Sequence, residues 1–239
     1  MSNPAIDQAA PDNGDWADQT EQRLLDAALI QLPDHGRWDD ALVLRAGREI
    51  GLSKPEVELL APNGARDLAG LLIRRHDAET RLKLSRVNPA DLKIRERIFQ
   101  AVLERIDAAM VDDLAVRKAG LYLAGPSRVA LAARMLWGSA DMIWRWSGDA
   151  AVDFNHYSKR AILSGVIAST LGVRLAQGEA AARAHLTRSI DAVMQFEKFK
   201  ARSTVNPEGL ARAVADAAAR LRYGSDTGGV SPDRGPSAG

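Results

Sequence analysis

The chain has 239 residues, 46% of them hydrophobic, a formal net charge of +1 and no cysteine. The near-neutral balance gives no gross attraction to nucleic acid or to an acidic surface. Without cysteine, disulfides and thiolate metal sites are excluded.

Residues 1–20, MSNPAIDQAAPDNGDWADQT, are acidic and rich in Pro, Gly and Asn, which predicts a disordered tail. They show neither the basic region nor the apolar run of a secretory signal. Their lack of arginine argues against a mitochondrial presequence. The first helix is expected over residues 21–32, where Leu24, Leu25, Ala28 and Leu29 recur at helical spacing. Pro33-Asp34-His35-Gly36 ends it. Asp39 caps a second helix reaching about residue 50, and Gly51-Leu52-Ser53 is a turn. Ser53 caps a short third helix with Pro55 in its first turn, a position that suits proline. Asn63-Gly64 then resets the chain for a long fourth helix over 66–86. Residues 21–88 therefore form a helix-turn-helix-like module.

That module raises DNA binding as a function, and its third helix argues against it. A recognition helix meets phosphates and base edges with Lys, Arg, Asn or Gln. This one reads Ser53-Lys54-Pro55-Glu56-Val57-Glu58-Leu59-Leu60, so Glu56 and Glu58 would face the phosphates. The module is expected to be scaffold, with no nucleic-acid partner.

Pro89 breaks the chain and opens a second, larger helical domain over 89–200. Asp91 is the expected cap of its first helix, with Ile94, Ile98, Val102, Ile106, Met110 and Leu114 as one buried stripe. Lys93, Arg95, Arg97 and Arg105 are assigned to a solvated face. Gly120 and Gly125-Pro126 bound a short link, and Ser127 caps the next helix. That helix carries Trp137, Trp144 and Trp146 near its end, and Ser147-Gly148-Asp149 breaks its pattern. Asp153 caps a helix through about residue 176 that is apolar almost all round and must be buried on most sides. Its small Ala161, Ser164, Gly165, Ala168 and Ser169 let neighbours approach closely or leave room for a ligand. Gln177-Gly178 ends it, and a further helix runs over 179–200. After a polar link, residues 207–223 form a last amphipathic helix, either interfacial or docked on the protein. Residues 224–239 are Gly/Ser/Pro-rich and expected to be disordered. No segment approaches the roughly 20 apolar residues of a spanning helix, so any membrane contact is expected to be peripheral.

Catalytic patterns are lacking. There is no nucleophile elbow, phosphate loop or dinucleotide fingerprint. His35, His76, His156 and His185 have no histidine partner at i+4. Asp153-Phe154-Asn155-His156 is a lone Asp-x-x-His, whereas a di-iron bundle needs two Glu-x-x-His helices and two more carboxylates. No catalytic residue, metal or cofactor is expected; the chain reads as one that holds a ligand.

The stretch DMIWRWSGDAAVDFNHYSKR carries a more specific signal. Trp144, Trp146, Gly148, Asp149, Asp153, Phe154, Asn155, Tyr157, Lys159, Arg160 and Ala161 resemble the signature of the coenzyme Q biosynthesis protein nine family. The resemblance extends from about Arg23 to Tyr223. It implies an all-α, TetR-like helical bundle that forms a homodimer, binds an isoprenoid lipid or ubiquinone intermediate, and assists a ubiquinone-biosynthesis hydroxylase. The rival implied by the fold is a ligand-responsive DNA-binding repressor. An apolar tunnel within 127–176 would take the lipid tail, with Met135, Leu136, Ile143, Trp146, Leu163, Val166, Ile167 and Leu171 as its candidate contacts. Trp144, Arg145 and Asp141 are the candidate partner surface. Leu210, Arg212, Val214, Arg220, Leu221 and Arg222 are the candidate membrane contacts. Tryptophans two apart on a helix point about 200° apart, so one is expected exposed and the other buried; the resemblance implies that Trp144 is the exposed one and Trp146 the buried one. The expected setting is bacterial cytoplasm, at the periphery of the inner membrane.

Overall fold

The computed structural model describes residues 13–149 and 154–202. The described residues are helical throughout, without a strand, as α1 (Asn13–His35), α2 (Asp40–Glu49), α3 (Lys54–Leu60), α4 (Ala65–Leu84), α5 (Ile94–Met110), α6 (Asp113–Leu123), α7 (Val129–Trp146), α8 (Phe154–Gln177) and α9 (Glu179–Arg202). This is consistent with the expected all-α, TetR-like bundle. The chain divides into two units, residues 1–190 and 191–239; of the second, only the end of α9 is described. No helix among the described residues is long and apolar enough to cross a membrane.

Local chemistry sets the first four helices. Asp39 caps α2 by accepting from the Leu42 amide at 3.0 Å. Ser53 and Glu56 form a capping box on α3, the Glu56 carboxylate accepting from the Ser53 amide at 2.7 Å, which satisfies end donors that no helix can satisfy itself. α2 and α3 meet at Gly47, where a Cβ would collide with Val57. Asp40 reaches from α2 to the start of α4 and accepts from the Ala65 amide at 2.8 Å. The apolar faces of α1, α2, α3, α4 and α6 close on one core that includes Leu24, Leu42, Leu68 and Leu71. Trp38 belongs to that core and donates its indole N–H to the Ala65 carbonyl at 3.0 Å.

Several expected features are corrected. α1 starts at Asn13, inside the segment expected to be a disordered tail, and continues through Pro33 to His35. Acidic residues favour a helix N-terminus, so the composition that suggested disorder suits a helix start equally well. Asp91 lies in a short 3-10 turn, and Lys93 with Glu96 occupies the start of α5. The single expected stripe from Ile94 to Leu114 is two helices broken at Val111–Asp112, and Val111 and Leu114 are exposed. α6 runs straight through Gly120, and Arg128 stands at the α7 N-cap position where Ser127 was expected. Arg105 is not solvated. It is only 3% exposed and donates to Asp77 Oδ1 at 2.6 Å, an atom that also accepts from Ser139 Oγ at 2.7 Å.

Beside that pair, His76 is buried with its Nε2 2.9 Å from Asp112 Oδ2. Burial pushes the His76 pKa below its ordinary value and Arg105 pushes the same way; the bond to Asp112 opposes them but does not prevail. This polar cluster joins α4, α5, α7 and the start of α6 in the interior.

Candidate functional site

Of the signature residues, Trp144, Asp149, Lys159 and Arg160 meet at the end of α7 and the first turns of α8. The Gly148 amide donates to Arg145 O at 3.1 Å and the Asp149 amide to Trp144 O at 3.0 Å, with Gly148 at φ +89. This is a Schellman cap, which requires a left-handed residue that glycine supplies without strain. The cap delivers the Asp149 carboxylate to α8. Lys159 Nζ lies 2.7 Å from Asp149 Oδ1, and Arg160 Nη1 lies 3.2 Å from Oδ2. Arg160 is 2% exposed and also binds Asp141 Oδ1 at 2.6 Å and the His156 carbonyl at 3.1 Å. Burial works to raise the Asp149 pKa, but Lys159 and Arg160 outweigh it and hold the carboxyl below its ordinary value. A buried guanidinium thus has two carboxylates, which is what keeps a charge in the interior. Asp153 of the signature lies outside the described residues.

Both tryptophans of the turn are half-buried, and each uses its indole N–H. Trp144 donates to Lys159 O at 3.2 Å, with the Lys159 ammonium 5.2 Å from its ring centroid. Trp146 donates to Leu84 O at the end of α4 at 3.1 Å. The two do turn to opposite sides, one to α8 and one to α4. The expected split into one exposed and one buried ring is corrected, because each side of α7 meets a neighbouring helix. Of the other candidate partner residues, Arg145 is exposed and pairs with Asp141 Oδ2 at 2.7 Å.

The candidate lipid contacts fall into two groups. Ile143 and Ile167 are 0% and 1% exposed, and Leu163 and Val166 are also buried. Side chains lining a space wide enough for an isoprenoid would keep accessible surface, so Ile143 and Ile167 are packing contacts between helices. Met135, Leu136, Trp146 and Leu171 are half-buried. The six candidate membrane contacts, Leu210 to Arg222, lie outside the described residues.

A groove of about 660 Å³ runs between the end of α4 and α7, lined by Arg81, Leu84, Ser85, Gly138, Asp141, Met142, Arg145 and Trp146. Trp146, Asp141 and Arg145 were candidates from the sequence. Arg81, Leu84, Ser85, Gly138 and Met142 were not, and no local pattern marks them, because the two walls are far apart in the chain. Among the described residues, no group of three or more His, Asp or Glu side chains could hold a metal ion. In α3, Glu56 is engaged in its capping box and Glu58 pairs with Lys54 at 3.5 Å.

The model of the COQ9 family matches residues 129–197, which cover α7, α8 and most of α9. "Ubiquinone biosynthesis protein COQ9, mitochondrial" of Rattus norvegicus is 24% identical over 172 residues, 69% of this chain and 55% of that protein. The chain is thus similar to COQ9 proteins, at low identity. The protein of the same name from Homo sapiens is 25% identical over 178 residues, 69% of this chain and 54% of that protein. The chain thus spans about half the length of these COQ9 relatives. Their names place them in mitochondria, which overturns the expected setting at a bacterial inner membrane. That expectation leaned on the arginine-free first twenty residues, and a targeting segment is physically independent of the helical bundle that carries the COQ9 match.

Proposed function

We propose that the chain acts in ubiquinone biosynthesis as a lipid-binding accessory protein that holds a polyprenyl intermediate and presents it to a hydroxylase. The observation that supports this is where the COQ9 match falls: on the segment 129–197, whose helices keep apolar surface uncovered. Val129 and Tyr157 are exposed, and a Cβ at Gly138, Gly165 or Gly172 would meet nothing within 4 Å. With Ile143 and Ile167 closed off, the tail would lie along the half-buried Met135, Leu136 and Leu171. Burying an isoprenoid is favourable by about 25 cal/mol per Å² of apolar area, so affinity needs no polar contact. Headgroup choice would then fall to the hydroxylase, docking at Trp144, Arg145 and Asp141. A membrane surface met by residues 207–223 and a homodimer complete the proposal. The chain would hold its ligand and leave conversion to the partner.

Native mass spectrometry of the purified protein, followed by extraction and identification of bound lipid, tests this reading. An isoprenoid lipid at near-stoichiometric level is expected; a protein that neither carries nor takes up such a lipid would sink it. The rival, a DNA-binding repressor, predicts tight, sequence-dependent mobility shifts at physiological salt. The engaged carboxylates of α3 oppose it.

A further inference from the structure

The groove between α4 and α7 has the size and chemistry of a small-molecule site; of the candidate lipid contacts it includes Trp146 and none of Met135, Leu136 or Leu171. Its volume, about 660 Å³, falls within the range of ligand pockets. Its apolar surface comes from Met142 and the Trp146 ring, whose N–H is already committed to Leu84 O. An aromatic face with a satisfied N–H offers stacking and asks for no hydrogen bond.

The charge of the groove is one-sided. Two arginines, Arg81 and Arg145, line it against one aspartate, Asp141. Both Asp141 oxygens are taken, one by the buried Arg160 at 2.6 Å and the other by Arg145 at 2.7 Å. Asp141 therefore repels an incoming anion weakly. Arg81, exposed on the last turn of α4, has no acidic partner among the described residues. A free guanidinium beside an aromatic and apolar surface suits a carboxylate or sulfonate carried on a flat ring. Gly138 sits in the same wall, and a Cβ there would meet nothing within 4 Å.

We propose that this groove binds a flat aromatic anion, with the ring against Trp146 and the acid on Arg81. The site does not depend on the lipid-presentation reading. 2-Naphthoate and its neutral counterpart 2-naphthylmethanol are the probes, titrated into the full chain by calorimetry. The indole N–H resonance of Trp146, assigned with Trp146→Phe, is followed in parallel.

Naphthoate is expected to bind about tenfold more tightly than the alcohol, the difference carried by a charge-assisted hydrogen bond, and to shift the Trp146 resonance. Arg81→Gln should bring naphthoate down to the level of the alcohol and leave the alcohol unchanged. Gly138→Leu, which fills open space in a helix, should melt like the parent protein and abolish binding of both. Absence of saturable naphthoate binding would overturn the proposal. So would affinity unchanged in Gly138→Leu, equal loss of both probes in Arg81→Gln, or an unmoved Trp146 resonance.

Discussion

Two regions of the same unit are held together by opposite means. The core shared by α1, α2, α3, α4 and α6 is apolar, and its one tryptophan, Trp38, spends its N–H on a backbone carbonyl. The α7–α8 corner is fastened by charge, with Arg160 between Asp141 and Asp149 and Lys159 on Asp149 and Trp144. An apolar core tolerates loss of volume by partial collapse. A buried ion cluster has no such recourse, because removing the shared guanidinium takes from both carboxylates their one common buried partner.

The largest effect should therefore come from Arg160→Ala, which leaves two carboxylates without their buried partner and should cost roughly 3–5 kcal/mol. Denaturant unfolding measures it, and a loss under about 1 kcal/mol, the worth of a surface ion pair, would show that the corner is not held by charge. Leu42→Ala, at a fully buried site of the apolar core, should cost about 2–5 kcal/mol depending on how far the cavity collapses. The two losses should add within a few tenths of a kcal/mol, since the sites share no partner; strong coupling would mean that the regions are one cooperative network.

A pH titration separates the regions further. The His76 pKa is depressed by burial, so the unfolded chain binds the extra proton more readily. Stability from this group is complete above its ordinary pKa of 6.5 and is lost as pH falls from there toward the lowered folded value. Asp112, Asp77 and Arg105 are the charged groups that face the same imidazole. Asp149, also depressed, loses its contribution only below the ordinary carboxyl value of 3.8. Melting temperatures from pH 8 to 5 should fall for the parent and flatten for His76→Gln; an unchanged slope would place the titrating group elsewhere. The smallest effect belongs to Arg145→Ala. Its exposed pair with Asp141 is worth under about 1 kcal/mol, and Asp141 keeps Arg160. A clear drop in melting temperature would make Arg145 a structural member of the corner.

The sequence made the local devices legible and hid the distant ones. Asp39, Ser53 and Gly178 act within four residues of themselves, and the helix ends they mark stand as expected. Arg105 looked like a surface cation because its partner, Asp77, lies 28 residues away. Its helix also shows the same charge-among-apolar pattern as a solvated face. The Trp144 and Trp146 faces were separable by helical angle, yet what covers each face depends on α8 and α4. The groove was illegible for the same reason: Arg81 and Gly138 have no relation until α4 and α7 pack.

The Schellman cap at Gly148 bears on the order of folding. The ion pairs it sets up join residues 10, 11 and 19 apart, Lys159–Asp149, Arg160–Asp149 and Arg160–Asp141, whereas Trp38 reaches Ala65 across 27 and Arg105 reaches Asp77 across 28. Short loops close at lower entropic cost and contacts within them form sooner. The corner is thus a helical hairpin that can assemble before the rest of the chain has found its partners. A lesion at Arg160 would then act mainly by slowing the folding rate, and one at Leu42 mainly by hastening unfolding.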